Sequence, residues 1–213
     1  MLVNEQLAAS QADSSILHPS SRSLFRFWEA SRAENAAPAR TSLDLKAIRN
    51  LIPQLLIAEL GEPTGTYRLR LAGTGVCELY RREMTGSDFL MGWDSFEASI
   101  ISRFLGAVVR NHQPCLLRFR LTTDLGDVIG AEMVGLPLLA GDGTAIHVFG
   151  GIFPFRDIQS LAYASVTGAE LSGARSIWTE HLPGDQLLSQ IHDAGGSHPF
   201  RPFQVIAGGR GRT

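Results

Sequence analysis

The stretch that most constrains the fold of this chain is Tyr67–Asp94, which reads YRLRLAGTGVCELYRREMTGSDFLMGWD. It opens with alternating apolar and charged side chains, a pattern typical of a half-buried strand. The strand runs into Gly73-Thr74-Gly75, where a short helix is predicted to begin at once, and Thr85-Gly86 predicts a turn. This strand-to-helix corner is expected to form the wall of a small pocket. Since none of its side chains is arranged for catalysis, the pattern favours a sensor or an interaction module over an enzyme.

The composition indicates one folded domain with tails, because 44% of the 213 residues are hydrophobic. A net charge of −2 gives no electrostatic footprint for nucleic acid or for an anionic membrane. The two cysteines, Cys77 and Cys115, lie in apolar segments, which favours buried free thiols over a disulfide and indicates a reducing compartment. The first residues lack a signal-peptide pattern, and no apolar run approaches the roughly 18–20 residues that cross a bilayer. We therefore expect a cytoplasmic protein without membrane insertion.

Two segments precede the predicted sheet. Residues 1–21 are small and polar, and we expect them to form a flexible arm. Residues 22–34 repeat apolar side chains at helical spacing. The apolar face of this helix comprises Leu24, Phe25, Phe27 and Trp28. Several aromatic groups on so short a helix need a cover, which is either the chain's own sheet or another subunit. A lid, a dimer or partner surface, and a combination of the two all remain open.

The pattern further along the chain predicts five strands and further helices. The strands are expected at 55–60, 67–72, 115–123, 128–139 and 145–153. Asp44 is a suitable N-cap for a helix over 45–52. A long amphipathic helix is expected to start at Asp94 and Glu97, a capping-box-like pair, and to end near residue 111. The apolar stripe of that helix comprises Phe96, Ile100, Ile101, Phe104, Leu105 and Val108.

Charge placement indicates the order of the strands. Arginines alternate outward on the strands at 67–72 and 115–123, and they are absent from those at 55–60 and 145–153. Charged outward faces suit edge strands, whereas strands that are apolar on both faces suit the centre of a sheet. We therefore predict an α+β fold with a five-stranded antiparallel sheet in the order 2-1-5-4-3. The later helices would cover one face, and the N-terminal aromatic helix would cover the other.

Beyond Pro154 the pattern weakens. Residues 161–171 show a faint helical periodicity, which predicts a weak helix. Residues 156–213 as a whole are expected to form a weakly structured to disordered tail, because their later part is rich in glycine, proline and polar residues. The folded domain itself is therefore expected to span residues 22–155.

Four sequence segments resemble one known family. They are LFRFWEA (Leu24–Ala30), the Leu51-Ile52-Pro53 turn into an apolar strand, RLRLAGTGVCELYRREMTGSDF (Arg68–Phe89) and the segment Val134–Leu139 before the last strand. Together with the order of the predicted elements, they resemble the PAS fold and, within it, a family of bacterial single-PAS-domain proteins of largely unknown function. The resemblance covers about residues 22–155. It implies a sensory or regulatory role through protein contacts, with no output domain on the same chain and no catalytic residues to transfer.

Some residues invite a more specific chemistry, which the surrounding sequence argues against. The third glycine of a dinucleotide-binding G-x-G-x-x-G would fall at Glu78, whose charge would repel a pyrophosphate. Gly73 and Gly75 are instead expected to allow a close approach of the backbone and a positive φ where the strand enters the helix. Cys77 lacks the Asn-Cys-Arg-Phe-Leu-Gln string of flavin-adduct photosensors, which favours a packed thiol. His112 resembles the histidine on the long helix of haem-binding PAS domains, but a helix C-terminal cation is the favoured interpretation. Metal binding by His112 and Cys115 lacks a second ligand pair, so neither a cofactor nor a metal is expected.

Glu132 is the carboxylate that no predicted turn or cap explains. It alternates with Gly130 and Val134 on an otherwise apolar strand, so it either pairs with an arginine or faces a pocket. A surface or ion-paired role is favoured, because an isolated buried charge is costly. No G-x-S-x-G string and no convincing Cys–His–Asn set points to nucleophilic catalysis.

The resemblance to PAS proteins implies a homodimeric regulatory protein that contacts a signalling partner such as a histidine kinase. Signalling is expected to proceed by a population shift, in which pocket occupancy or partner contact alters how the aromatic helix docks on the sheet. The side chains predicted to line the pocket are Leu71, Val76, Cys77, Tyr80, Trp93, Phe104 and Phe119. Two alternatives stay open: an obligate receptor for a small apolar ligand, and an enzyme on a similar curved-sheet cone fold.

Overall fold

An antiparallel sheet of six strands organises the fold in a computed structural model that describes residues 15–61, 65–141, 143, 146–156 and 164–177. The strands are β1 Leu55–Leu60, β2 Tyr67–Ala72, β3 Cys115–Thr123, β4 Val128–Leu139, β5 Ile146–Pro154 and β6 Val166–Ser176. Their order across the sheet is β2-β1-β5-β4-β3-β6. The order predicted for the first five strands is therefore confirmed, and so is the α+β class.

Three helices are present in the described residues. They are α1 Pro19–Arg32, α2 Thr74–Tyr80 and α3 Ser95–Asn111. The N-cap predicted for α3 is confirmed, since the Asp94 carboxylate accepts a hydrogen bond from the Phe96 N–H at 2.9 Å. The second half of the predicted capping box is wrong. Glu97 instead accepts a hydrogen bond from the Leu171 N–H of β6 at 2.9 Å, which fastens α3 to the edge of the sheet.

The helix predicted over residues 45–52 is wrong. The chain forms two 3-10 turns in this region, Leu45–Ile48 and Ile52–Gln54. Pro53 lies inside the second turn, and it disfavours the α-helical conformation of Ile52 directly before it, which separates this turn from the first one. The capping role of Asp44 is confirmed, because its carboxylate accepts a hydrogen bond from the backbone N–H two residues ahead at 3.1 Å.

Strand β6 is the part of the sheet that the sequence pattern did not indicate. The weak helix predicted over residues 161–171 is wrong where the structure describes that segment, because β6 pairs antiparallel with β3 along its length. The sheet therefore ends at β2 and β6, and β3 is not an edge strand. The outward Arg120 of β3 pairs with Glu170 of β6 at 2.5 Å, a cross-strand ion pair. The tail predicted from residue 156 begins too early, and its residues 178–213 lie outside the described residues.

Each face of the sheet carries an apolar cluster, because apolar side chains alternate between the faces along the central strands. Helices α2 and α3 cover the first face. The largest fully buried side chains of the first cluster are Tyr67, Phe119, Leu56, Leu69, Ile101, Leu105 and Leu117. Helix α1 covers the second face. It packs there on Leu55, Ile57, Val134, Leu136, Leu138, Phe149 and Phe153 of β1, β4 and β5. The predicted placement of helices on both faces is thus confirmed.

A β-bulge moves Leu71 away from the position predicted for it. Leu69 of β2 lies opposite Ala58 of β1. Two residues later, Leu71 lies opposite Ile57, only one position along β1, so Arg70 is the extra residue of the bulge. An extra residue in one strand turns the side chains that follow to the other face. Leu71 therefore does not follow Leu69 into the first cluster but is 37% exposed, and its predicted place in the core pocket is wrong.

The strand-to-helix corner requires glycine for space and not for backbone conformation. A Cβ on Gly73 would overlap the carbonyl oxygen of Pro53, and a Cβ on Gly75 would lie 3.0 Å from the same atom. The close approach predicted for these glycines is confirmed. The positive φ predicted for the same corner is wrong, since Gly73 has φ −66°. The turn at Thr85-Gly86 is confirmed, with φ +87° at the glycine.

The flexible arm predicted over residues 1–21 is wrong for its described part. Ile16 is 0% exposed and belongs to the second apolar cluster, and helix α1 begins soon after it. Residues 1–14 lie outside the described residues. All described residues fall in one compact unit, Met1–His181, and a second unit, Leu182–Thr213, lies outside the described part of the chain.

Candidate functional site

A buried carboxylate fastens the chain ahead of α1 to the second face of the sheet. Glu132 of β4 has a side-chain exposure of 0% and pairs with Arg118 of β3 at 2.9 Å. Its oxygens also accept hydrogen bonds from the backbone N–H groups of Leu17, at 3.1 Å, and of His18, at 2.8 Å. Arg118 in turn donates to the Ser15 carbonyl oxygen at 2.5 Å. We refer to Glu132, Arg118, His18 and the backbone that they hold as the N-terminal anchor.

The anchor satisfies the carboxylate from two sources. Glu132 and Arg118 lie directly opposite each other in the register of β3 and β4, so the sheet itself forms their ion pair. The ion pair predicted for Glu132 is confirmed, although the residue is buried. A buried carboxylate is stable when its lone pairs are satisfied. Since two backbone N–H groups of the N-terminal segment complete this set, undocking that segment would leave Glu132 partly unsatisfied.

His18 caps helix α1 and also contacts β5. Its Nδ1 accepts a hydrogen bond from the Ser20 N–H at 3.1 Å, which is the N-cap interaction of the helix. The proton of the neutral imidazole therefore lies on Nε2, which donates to the Pro154 carbonyl oxygen at 3.2 Å. The ring stacks on Phe153, with centroids 5.5 Å apart, and meets Phe155 at 5.3 Å. The neutral ring thus joins the start of α1 to the end of β5.

Protonation of His18 would break this cap. Burial lowers the pKa of His18 from its ordinary value, while the hydrogen bond to Pro154 and the charge of Glu132 act in the opposite direction. Because Nδ1 accepts a hydrogen bond when it carries no proton, the imidazolium cannot accept from Ser20. The anchor is therefore complete with a neutral histidine and incomplete with a charged one.

The four side chains predicted as a dimer or partner surface form a lid on the chain's own sheet. Leu24 and Trp28 are 0% exposed and Phe25 is 1% exposed. The Trp28 Nε1–H donates to the Pro137 carbonyl oxygen of β4 at 2.8 Å. These three side chains cannot contact another subunit while α1 is docked, so the prediction is wrong for the docked state. Phe27 is partly buried at the margin of the cluster and stays accessible.

Six of the seven side chains predicted to line a core pocket gather in or beside the first cluster. Val76 and Phe119 are buried within it. Those that are partly buried against it are Cys77, Tyr80, Trp93 and Phe104. Trp93 meets Phe119 edge-on, with ring centroids 5.5 Å apart. Leu71 lies on the other face of the sheet. That these side chains enclose a ligand remains a prediction.

The sequence analysis considered Cys77, Cys115 and His112 for redox, haem or metal chemistry. Cys77 and Cys115 are free thiols, and burial raises the pKa of Cys115 to about 12. Burial likewise raises the pKa of Tyr80 to about 12, so both groups are neutral near pH 7. His112 ends α3 in the left-handed conformation, with φ 53°, and its N–H donates to the Ala107 carbonyl oxygen. Among the described residues, no group of three or more His, Cys, Asp or Glu side chains could hold a metal.

A polar groove of about 440 Å³ lies beside the anchor. Residues that line it include His18, Ser20, Asn50, Gln54, Glu78 and Arg156. The sequence pattern did not assign His18 or Arg118 to a site. The His18-Pro19 pair was the available signal, because proline at the first position of a helix marks its start and the preceding residue its cap. No local signal joins Arg118 to a segment so far away in the chain.

The comparison with protein families agrees with this architecture. A family model described as a PAS domain matches residues 16–153, which is more than half of the chain and includes His18, Arg118 and Glu132 of the anchor. No curated protein matches the chain significantly. None of the helices in the described ranges combines the length and the apolar character that crossing a bilayer requires. PAS domains are generally sensory and regulatory modules. The chain belongs to the PAS domain family.

Proposed function

We propose that this PAS domain signals through protein contacts and that docking of α1 on the second face of the sheet is its switch. The observation that carries the proposal is the N-terminal anchor, in which a fully buried Glu132 completes its hydrogen bonding through the backbone ahead of α1. A population shift requires one element with two alternative arrangements. Here that element is α1, and the two arrangements are docked and undocked.

Undocking would expose apolar surface that a partner can use. Leu24, Phe25 and Trp28 would leave the sheet, and each buried side chain of this size contributes about 1.5–3 kcal/mol. A partner that covers the freed face of α1, or the uncovered sheet, recovers this free energy and shifts the population toward the undocked state. The predicted partner surface of α1 therefore acts in the undocked state.

The proposed partners are a second copy of the chain and a signalling protein such as a histidine kinase, in a bacterial cytoplasm. PAS domains commonly dimerise and make signalling contacts, which supports both. The partly accessible Phe27 at the margin of α1 is the first side chain that such a partner would meet. No catalytic activity is proposed.

The test compares Glu132→Gln with the matched control Glu170→Gln. Both substitutions remove the carboxylate of a cross-strand ion pair to a β3 arginine, but Glu132 alone of the two also holds the N-terminal segment. Hydrogen exchange would report the docking of α1, and mass spectrometry would quantify proteins captured by each full-length variant. We expect Glu132→Gln to accelerate exchange in α1 and to change the capture of at least one protein several-fold, whereas Glu170→Gln changes neither. If Glu132→Gln accelerates exchange in α1 but the unaltered protein and both variants capture the same proteins in equal amounts, the proposal is contradicted.

A second candidate function, ligand reception, is favoured by the polar groove beside the anchor. A ligand that contacts His18 and Gln54 would act directly on the cap of α1. This groove is polar and differs from the apolar core pocket predicted from the sequence. Native mass spectrometry of the purified protein tests it. A retained mass that is lost in Gln54→Ala supports reception, and a ligand-free spectrum contradicts it.

A further inference from the structure

A second groove, of about 770 Å³, runs between α3 and the adjoining ends of β1 and β2. The lining residues that matter for its chemistry are Leu60, Tyr67, Phe96, Ile100, Arg103 and Arg110. None of them belongs to the N-terminal anchor or to the pocket predicted from the sequence. The groove therefore needs an explanation of its own.

Phe96 gives this groove an exposed aromatic ring. It is 71% exposed, the highest value among the large apolar side chains described. The sequence predicts an inward Phe96 in the stripe of α3, and that prediction is wrong because the helix buries Ile101, Leu105 and Val108. Phe96 falls on a different face, together with the partly buried Ile100. A single exposed apolar residue is ordinary and does not by itself indicate a binding surface. The charged residues next to Phe96 are therefore needed to identify one.

Two arginines continue the same face of α3. Arg103 and Arg110 are both exposed, and no described carboxylate pairs with either of them. Three arginines of the sheet differ in this respect, since Arg70, Arg118 and Arg120 each face a carboxylate. A Cβ at Gly106 would collide with the Arg110 guanidinium, so the glycine leaves room for this charge to lie against the helix. The groove thus presents two cations that lack a described counterion.

The spacing of these groups is regular. Phe96, Arg103 and Arg110 follow one another at intervals of seven residues. Seven residues are close to two helical turns, so the three groups lie on one face at steps of about 10 Å. A helix that packs alongside α3 meets such a row with residues of its own at the same interval.

We propose that this groove binds an acidic amphipathic helix of a partner protein. The partner helix would carry two acidic residues seven positions apart, opposite Arg103 and Arg110, and an apolar residue a further seven positions along, opposite Phe96. Charge complementarity selects this occupant, because each carboxylate supplies the counterion that an arginine lacks. The proposal deepens the proposed function and rests on it in taking the partner to be a protein.

The experiment selects binders from a displayed library of random peptides of about 20 residues, long enough to cover three heptad positions. The full-length protein is the target, and the counter-screen uses the double variant Arg103→Glu/Arg110→Glu. Arg82→Glu, at an exposed arginine outside the groove, is the matched control. We expect enriched peptides to carry the acidic pair with its apolar residue and to bind the double variant more than tenfold more weakly. Arg82→Glu should bind them as the unaltered protein does, and added salt should weaken binding.

Four outcomes would overturn the inference: no enrichment above background, enriched peptides without the acidic pair, equal binding to the double variant, or equal weakening in Arg82→Glu. Vesicles of phosphatidylserine and phosphatidylcholine form a further arm. Binding to vesicles that needs both arginines, without peptide enrichment, would overturn it in favour of a membrane surface. The Glu132→Gln capture experiment does not involve this groove, so failure here and failure of the proposed function are separate results.

Discussion

The two faces of the sheet are covered in different ways. Helices α2 and α3 rest on the first face through apolar contacts, and Glu97 ties α3 to β6. Helix α1 combines apolar contacts on the second face with a polar anchor at its first turn, where Glu132 and His18 hold it. Apolar burial is insensitive to pH, whereas contacts of a carboxylate and a histidine respond to charge and protons. The second face is therefore the one on which the proposed switch acts.

The largest expected effects come from truncating one buried aromatic on each face. Phe119→Ala should lower the global free energy of unfolding by about 3–5 kcal/mol, because it leaves a cavity in the first cluster. Trp28→Ala should cost a similar amount, since it also removes the hydrogen bond to Pro137, but the loss should fall on the docking of α1. Native-state hydrogen exchange distinguishes the two variants. Phe119→Ala should accelerate exchange throughout the domain, whereas Trp28→Ala should accelerate it mainly in α1. Equal acceleration everywhere in both would show that the faces form one cooperative unit.

A smaller effect is expected from the two arginines of β3. Arg118→Gln leaves buried Glu132 without its counterion and should lower the free energy of unfolding by about 1–3 kcal/mol. Arg120→Gln removes an exposed pair with Glu170 and should cost no more than about 1 kcal/mol. Urea unfolding, followed by circular dichroism, measures both. If the two variants lose the same stability, the anchor is no stronger than a surface ion pair.

The smallest effect is a dependence on pH. Burial lowers the pKa of His18, so the docked state binds fewer protons than the undocked state below its ordinary value of about 6.5. Docking is thus complete above that pH and weakens as the pH falls. The charged groups around His18 are Glu132 of β4 and, across the polar groove, Glu78 and Arg156. Both glutamates favour the imidazolium, and the arginine opposes it.

The matched variant for this effect is His18→Asn, because asparagine is a good N-cap that does not titrate. Hydrogen exchange of α1, taken relative to α3 in the same sample, should rise between about pH 7 and pH 5 in the unaltered protein. The same ratio should stay flat in His18→Asn. A rise of equal size in both proteins would assign the pH dependence to another group.

The order of β1 to β5 was predictable because β1 and β5, which lack arginine, are apolar on both faces and lie inside the sheet. The same rule failed for β3, which carries Arg118 and Arg120 and yet is not an edge strand. Strand β6 was not predictable, since its sequence VTGAELSGARS is rich in small residues and lacks a strong alternation. Backbone pairing with β3 holds it in place, and a pattern of side chains does not record such pairing. The bulge at Arg70 was equally hidden, because a shift of one residue in register leaves the alternation of the sequence unchanged.

The candidate site was predictable in part. Glu132 stood out because a carboxylate on an apolar strand needs a partner. Its backbone partners, Leu17 and His18, lie 115 and 114 positions away, a separation at which tertiary packing alone decides contact. The aromatic face of α1 was found by its helical period, which left the choice between the chain's own sheet and another subunit open. The helical period shows which side of a helix is buried, but it does not show which surface covers that side.

Strand β6 also bears on self-association. It pairs with β3 along its length, while its own outward side is largely exposed and carries small residues. The family match ends at Phe153, before β6 begins. A chain shortened to that boundary would leave one side of β3 with unpaired N–H and C=O groups, next to apolar side chains such as Leu116 and Leu117. Such an edge is a template for strand addition by another chain. The segment beyond the family boundary therefore covers the side of β3 that would otherwise be open, and it moves the edge of the sheet to a strand of small residues.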